Sequence, residues 1–174
     1  MHHHRKLILN DSFRFLSLAW FSDEPCGLLI EVYSIVTRLH IILADDDPDE
    51  CMIFTQCLEE VMPDSKITCV EDCKGLLAYL ENGDGNGDGN ANPDLVFLDL
   101  NMPLTSGQEC LQKVIQSKFL NKVPIIVYST ASRANIVEEC YRIGASMYVV
   151  KPSDTRKLRE TIEAVVKRYV DQNN

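Results

Sequence analysis

The chain has 174 residues, of which 45% are hydrophobic and 25% charged, so it can bury a core and is not disordered as a whole. Its 26 acidic residues outnumber 17 basic ones, for a formal charge of −9, which argues against a DNA, RNA or anionic-membrane surface. No apolar run reaches the roughly 18–20 residues of a membrane span.

Residues 1–37 read as an extension of unassigned structure. Met1-His2-His3-His4 is too short a histidine run to make a metal clasp. Phe13 to Phe21 is apolar, but Ser22-Asp23-Glu24-Pro25 breaks it. Arg5 and Lys6 before that run resemble the start of a signal peptide, yet no A-x-A cleavage pattern follows. Leu28 to Leu39 has the pattern of one amphipathic helix.

From about Arg38 the pattern becomes regular. His40-Ile41-Ile42-Leu43-Ala44 is continuously apolar, as in a strand buried on both faces. Pro48 opens a helix of roughly 14 residues, with acidic Asp49 and Glu50 in its first turn. Met52, Ile53, Phe54, Cys57, Leu58, Val61 and Met62 form its apolar side. Lys66 to Val70 predicts a second strand and Lys74 to Leu80 a short second helix. Leu95 to Leu98 predicts a third strand and Ser106 to Ser117 a third helix. Val123 to Tyr128 is a fourth strand and Ser132 to Ile143 a fourth helix, with Gly144 placed to cap it. Met147 to Val150 is a fifth strand. Ser153 to Tyr169 is the last helix, with Leu158, Ile162, Val165, Val166 and Tyr169 on one face.

Five short apolar strands alternating with five helices predict an α/β fold. Its core is a doubly wound parallel sheet with helices on both faces. The ligand site of such a fold lies at the carboxyl ends of its strands. The domain spans residues 38–170, with a tail at 171–174.

The seven cysteines, at 26, 51, 57, 69, 73, 110 and 140, are odd in number and contain no C-x-x-C. They read as buried free thiols in a reducing cytoplasm. Zinc is disfavoured because its ligand spacing is missing.

The strand ends carry the chemistry. The first strand runs into Asp45-Asp46-Asp47, the third into Asp99, the fourth into Ser129-Thr130 and the fifth into Lys151-Pro152. Taken singly, an aspartate at a strand end is a cap or turn residue and a lysine before proline a solvated loop residue. Together, on the one edge where the fold builds sites, they point to function. Two carboxylates about 4 Å apart repel by roughly 4 kcal/mol at an effective dielectric of 20. A cluster of them therefore binds protons or a cation. An all-oxygen site open to water suits Mg²⁺. A lysine and a hydroxyl beside it suit phosphoryl transfer to a carboxylate.

With these residues in place, the chain resembles the receiver domain of two-component response regulators, the family of the chemotaxis response regulator. The motifs are Ile42-Leu43-Ala44-Asp45-Asp46-Asp47-Pro48, Leu95-Val96-Phe97-Leu98-Asp99-Leu100-Asn101-Met102-Pro103, Pro124-Ile125-Ile126-Val127-Tyr128-Ser129-Thr130 and Tyr148-Val149-Val150-Lys151-Pro152. The resemblance implies a flavodoxin-like strand order 2-1-3-4-5. It implies Asp99 as phosphoacceptor, Asp46 as a direct Mg²⁺ ligand, Asp45 as an acid acting through metal-bound water, and the Asn101 backbone carbonyl as a further ligand. It implies that Ser129 follows the phosphoryl group, that Lys151 pairs with it, that the Lys151–Pro152 bond is cis and that Tyr148 is the switch aromatic. Thr130 departs from the small residue usual there, and Thr105-Ser106-Gly107 from the usual Asp-Gly.

The implied function is a stand-alone, cytoplasmic receiver. A sensor histidine kinase or histidine phosphotransfer protein donates the phosphoryl group, and a phosphorylation-biased surface recruits a downstream protein partner. Nucleic acid and membrane are not expected as partners, and a homodimer stays open. Beyond its own phosphorylation and dephosphorylation no enzymatic activity is expected. The long loop before the third strand and Lys118-Phe119-Leu120-Asn121-Lys122 resemble stand-alone receivers that pair with phytochrome-type kinases. Two rival readings fit less well. A haloacid-dehalogenase-type phosphatase needs D-x-D, where this chain has Asp99-Leu100-Asn101. A flavodoxin-like cofactor-binding protein needs a hydroxyl-rich phosphate loop where three aspartates stand. The insert Asn82 to Asn92 matches part of a calcium loop at Asp84, Asn86, Asp88 and Gly89. It has Leu95 where the bidentate glutamate belongs, and reads as a linker.

Overall fold

A computed structural model describes residues 39–82, 93–102, 105–117 and 123–170. They belong to the second of two units, Leu39–Asn174, into which the chain divides. The calcium-loop reading of the insert and the expectations for residues 1–37 lie outside the described residues.

The elements follow the predicted order: β1 (His40–Ala44), α1 (Pro48–Val61), β2 (Lys66–Val70), α2 (Cys73–Asn82), β3 (Leu95–Leu98), α3 (Gly107–Gln116), β4 (Ile125–Ser129), α4 (Ala134–Ile143), β5 (Met147–Val150) and α5 (Thr155–Val170). The strands form one sheet ordered β2-β1-β3-β4-β5, with every pairing parallel. The expected doubly wound topology is what the chain adopts.

Alternation along each central strand divides the core in two, because successive side chains leave opposite faces of a sheet. Ile41, Leu43, Leu95, Phe97, Ile126 and Tyr128 pack against α1 and α5. Ile42, Ala44, Val96, Leu98, Ile125 and Val127 pack against α2, α3 and α4. On the first side, Phe54 meets Phe97 edge to face at 4.9 Å between ring centroids. Both rings also stand edge-on to Tyr128, at 5.7 and 6.0 Å, the geometry favoured by ring quadrupoles. Only Phe54, Cys57 and Leu58 of α1 are fully buried. Met52, expected on the apolar side, is 53% exposed, because a helix on a sheet buries a stripe and not half its circumference.

Helix ends are set locally. Asp47 caps α1, its side chain accepting from the Asp49 N–H at 2.9 Å. Ser106 caps α3, accepting from the Glu109 N–H at 3.3 Å. Gly144 ends α4 at φ 127°, a left-handed conformation that glycine adopts without a Cβ penalty.

Gly107 opens α3 for a different reason. A Cβ there would fall inside the backbone of Leu100, the residue after Asp99. Gly107→Ala should therefore displace the loop that carries Asp99 and destabilise the fold by about 1–3 kcal/mol, the usual cost of overpacking. Thermal unfolding checks this, and an unchanged midpoint would show that the loop yields freely.

Two sequence expectations need correction. The cysteines are not all free: Cys51 is bridged to Cys69 and Cys73 to Cys110, with Cα–Cα distances of 6.3 and 5.7 Å. The fold brings α1 beside β2, and α2 beside α3, at separations a disulfide spans. Cys57 and Cys140 are buried free thiols, as expected, and burial pushes both thiol pKa values up. The Lys151–Pro152 bond is trans, since no cis peptide occurs among the described residues. Trans is the ordinary preference of an X–Pro bond, by ~0.5–1 kcal/mol. From that bond the lysine side chain already reaches its partners.

Candidate functional site: an acidic cluster at the carboxyl edge of the sheet

Neighbouring parallel strands end on the same side, so their next residues meet. Ala44 of β1 pairs with Leu98 of β3, and the Asp99 N–H donates to the Ala44 carbonyl at 2.9 Å. That bond sets Asp99 beside Asp45. The Asp45 N–H donates in turn to Val70 O at 2.9 Å, and the Lys151 N–H to Ser129 O at 2.9 Å. The ladder thus continues one residue beyond the strands and fixes the backbone of Asp45, Asp99 and Lys151.

Asp45, Asp46 and Asp99 each offer a carboxylate oxygen within 4.8 Å of the others. Asp45 and Asp99 are buried, at 3% and 4% exposure, whereas Asp46 is open to water. Lys151 Nζ lies 2.6 Å from Asp45 Oδ2 and 2.9 Å from Asp99 Oδ2. It also stands 5.4 Å from the centre of the Tyr128 ring, a cation–π contact. Three carboxylates against one ammonium leave the cluster negative.

Burial pushes the Asp45 carboxyl above its ordinary pKa, against the bond from Lys151. Burial alone would lower the Lys151 ammonium, but its bonds to Asp45 and Asp99 outweigh that and hold it above its ordinary value. Glu50, in the first turn of α1, is pushed up by partial burial and by the nearby Asp45, Asp47 and Asp99 charges.

Backbone donors orient the acids. The Asp47 N–H donates to Asp45 Oδ1 and the Asn101 N–H to Asp99 Oδ1, each at 3.1 Å. Asn101 also joins two loops: its Nδ2 donates to Ser129 Oγ at 3.3 Å and to Thr130 Oγ1 at 3.1 Å. Ser129 is fully buried and accepts from the Ala131 N–H at 3.4 Å. Tyr148 is half-buried, and its hydroxyl donates to the Ala131 carbonyl at 2.8 Å.

All the sequence-predicted site residues therefore converge. Asp45, Asp46, Asp99 and Lys151 form the ionic centre, Asn101 and Ser129 line it, and Tyr148 is linked to it through Ala131. Sequence reasoning did not assign Tyr128 beneath the lysine or the Asn101–Thr130 bond. Tyr128 read as one more apolar strand residue, and the bond needs the approach of two loops distant in sequence.

The donor set fits Mg²⁺. It is all oxygen, carries excess negative charge, and one acid faces water, as suits an ion that keeps part of its hydration shell.

Comparison with known proteins agrees with this geometry. The family model described as the response regulator receiver domain matches residues 41–163. The two-component response regulator ARR17 of Arabidopsis thaliana is 31% identical over 135 residues, covering 72% of this chain and 86% of that protein. The response regulator Rcp1 of Synechocystis is 23% identical over 125 residues, covering 72% and 84%. Among solved structures, the phosphorylated cyanobacterial phytochrome response regulator RcpA superposes with a TM-score of 0.69 at 21% identity, over 78% of this chain and 96% of that one. The Mn²⁺-bound form of Rcp1 gives 0.64 at 22% identity, over 74% and 92%. These matches decide against the phosphatase and the flavodoxin-like cofactor binder. Because the family match runs from β1 into α5 and takes in the whole acidic edge, the chain belongs to the response regulator receiver domain family of two-component signalling.

Proposed function

We propose that this receiver accepts a phosphoryl group on Asp99 from the phosphohistidine of a histidine kinase or phosphotransfer protein. The observation that carries this is Lys151 bridging Asp45 and Asp99 beside exposed Asp46. A carboxylate oxygen of Asp99 attacks phosphorus, the P–N bond to the donor imidazole breaks, and its electron pair returns to the ring nitrogen. Asp46 would hold Mg²⁺ directly and Asp45 through a water on the ion, with Asp99 and the Asn101 carbonyl completing the protein ligands. The ion supplies charge neutralisation on the phosphoryl oxygens. The Lys151 ammonium neutralises a phosphoryl oxygen once released from Asp45. That the similar receiver Rcp1 has a Mn²⁺-bound form supports a divalent cation in such a site.

The setting we infer is the cytoplasm and the output a protein partner. No helix among the described residues is long and apolar enough to cross a membrane. The receiver domain spans residues 38–170, with 1–37 an extension before it and 171–174 a tail after it. Incubation with acetyl phosphate and Mg²⁺ should add one base-labile phosphoryl group, read by intact mass. No addition under either small-molecule donor or cognate kinase would defeat the proposal.

Asp46→Ala should weaken Mg²⁺ binding by about tenfold or more, because the site's affinity comes from charged oxygens. Calorimetric titration measures this, and an unchanged affinity would move the metal elsewhere.

The switch runs through Ser129. Phosphorylation brings about two negative charges beside it and Lys151. A Ser129 hydroxyl that turns to the phosphoryl group releases the Ala131 loop, to which Tyr148 is bonded. The coupling available to such a step is ~1–3 kcal/mol. Ser129→Ala should still be phosphorylated but lose most of the response in amide exchange over residues 132–160 on adding beryllofluoride. A full response would remove that hydroxyl from the switch.

A further inference from the structure

The two disulfides differ in access. Cys73 and Cys110 are 4% and 0% exposed and sit inside the core. Cys69 is exposed on β2, which is an edge strand, and Cys51 is half-buried near the start of α1. Thiol–disulfide exchange needs a thiolate to reach a sulfur, so solvent reductants can attack the Cys51–Cys69 bridge and not the other.

Both ends of that bridge abut the acidic loop. The Cys51 N–H donates to Asp47 O at 3.1 Å. Cys69 pairs with Leu43 in the sheet, and the carbonyl of the next residue, Val70, accepts from the Asp45 N–H at 2.9 Å. The bridge therefore closes a covalent ring that contains most of α1 and pins its start to the edge strand, with Asp45-Asp46-Asp47 held between two tethered hydrogen bonds.

We propose that Cys51–Cys69 is a reversible redox-modification site that tunes the metal affinity of the acidic cluster. The three carboxylates lie within 4.8 Å of one another and repel. Asp46, the exposed member, relieves that repulsion by retreating into water if the start of α1 is free to move. The bridge resists the retreat, so the oxidised form is pre-organised for a divalent cation. In a reducing compartment a bridge of this kind opens and closes with the redox state.

The exchange balances with a dithiol as reductant. One of its thiolates attacks the sulfur of the exposed residue Cys69, the S–S bond breaks, and Cys51 leaves as a thiolate that takes up a proton. The second thiol of the reagent then attacks its own sulfur in the mixed disulfide and releases Cys69. The reagent ends as a cyclic disulfide, and two electrons have passed to the protein. Glutathione disulfide, a stronger oxidant, drives the reverse and leaves as two molecules of glutathione thiol.

The coupling rests on the acidic cluster being the Mg²⁺ site, and the test separates the two ideas. Full-length protein is oxidised with glutathione disulfide, or mildly reduced with dithiothreitol, and the free thiols are located by alkylation and peptide mass. Each form is then titrated with Mg²⁺ calorimetrically. Reduction should free Cys51 and Cys69 first, leave Cys73–Cys110 closed, and weaken Mg²⁺ binding by about fivefold, the lower end of usual site-to-site coupling. By reciprocity, saturating Mg²⁺ should shift the dithiol–disulfide equilibrium of this pair towards the disulfide by the same factor. The double variant Cys51→Ser, Cys69→Ser should bind as the reduced protein does under both conditions. Equal affinity in the two wild-type forms, or an exposed pair that stays unbridged under oxidation, overturns the proposal while the metal site stands. Absence of Mg²⁺ binding in both forms overturns the metal site and the coupling together.

Discussion

Asp99→Asn, given acetyl phosphate and Mg²⁺, should gain no phosphoryl group while the wild-type chain gains one. The substitution exchanges one carboxylate oxygen for an amide nitrogen of nearly the same size. The side-chain oxygen that remains can still accept from the Asn101 N–H, now 3.1 Å from Asp99 Oδ1, so the loop should keep its shape. The amide is not a nucleophile towards phosphorus, and the expected loss is complete. Other acids are near enough to be asked about, because Asp45 and Asp46 lie in the same cluster. Asp45 is bonded to Lys151 at 2.6 Å and pushed towards its neutral form by burial, which weakens it as a nucleophile. Asp46 faces water and has no bond from Lys151 among those described. Intact mass of both proteins under one set of conditions gives the answer. Full labelling of Asp99→Asn would place the acceptor on another side chain, while retained secondary structure by circular dichroism would show that lost labelling is chemical.

Lys151→Met should destabilise the metal-free protein severely and the Mg²⁺-bound protein much less. Nζ bonds two carboxylates that are 3% and 4% exposed. Replacing the ammonium by a thioether of similar length leaves those charges buried and unpaired. Removing one partner of a buried ion pair costs about 3–5 kcal/mol, against a total stability of about 5–15 kcal/mol for a domain. The carboxylates would respond by protonating or by drawing water inwards, and neither restores the contact. A divalent cation supplies the missing charge. Ligand bound only by the folded state adds about 2.7 kcal/mol at 100 times its dissociation constant, so Mg²⁺ should recover a large part of the loss. Thermal unfolding with and without Mg²⁺ measures both quantities. A variant as stable as wild type without metal would show that Lys151 does not compensate the cluster.

The fold was legible because its determinants are local and repeated. His40-Ile41-Ile42-Leu43-Ala44 and Leu95-Val96-Phe97-Leu98 are apolar at nearly every position, and such runs fit strands covered on both faces. Proline at the start of α1, serine before α3 and glycine after α4 then set helix boundaries to within a residue or two. The acidic edge was legible for a topological reason. Parallel strands all end on one side, so Asp45, Asp99, Ser129 and Lys151 had to share one edge once the strands were assigned, and the order β2-β1-β3-β4-β5 brings them together there.

Residue order along the chain thus dictates whatever follows from periodicity along one element and from the direction of its strand. Contacts between elements belong to the tertiary structure. Only packing decided that Met52 faces water while Phe54 is buried, since both lie within three positions of α1. Only the approach of α1 to β2 and of α2 to α3 decided which cysteines pair, at sequence separations of 18 and 37. Odd count and absent C-x-x-C spacing carry no information on that. The resemblance supplied a cis Lys151–Pro152 bond, and the structure has it trans, the form an X–Pro bond takes when no contact demands the other. Asn101 reaching Thr130 across two loops is a matter of distance in space. A hydrogen bond depends on separations of a few tenths of an ångström, and no pattern of residue types along a chain fixes those.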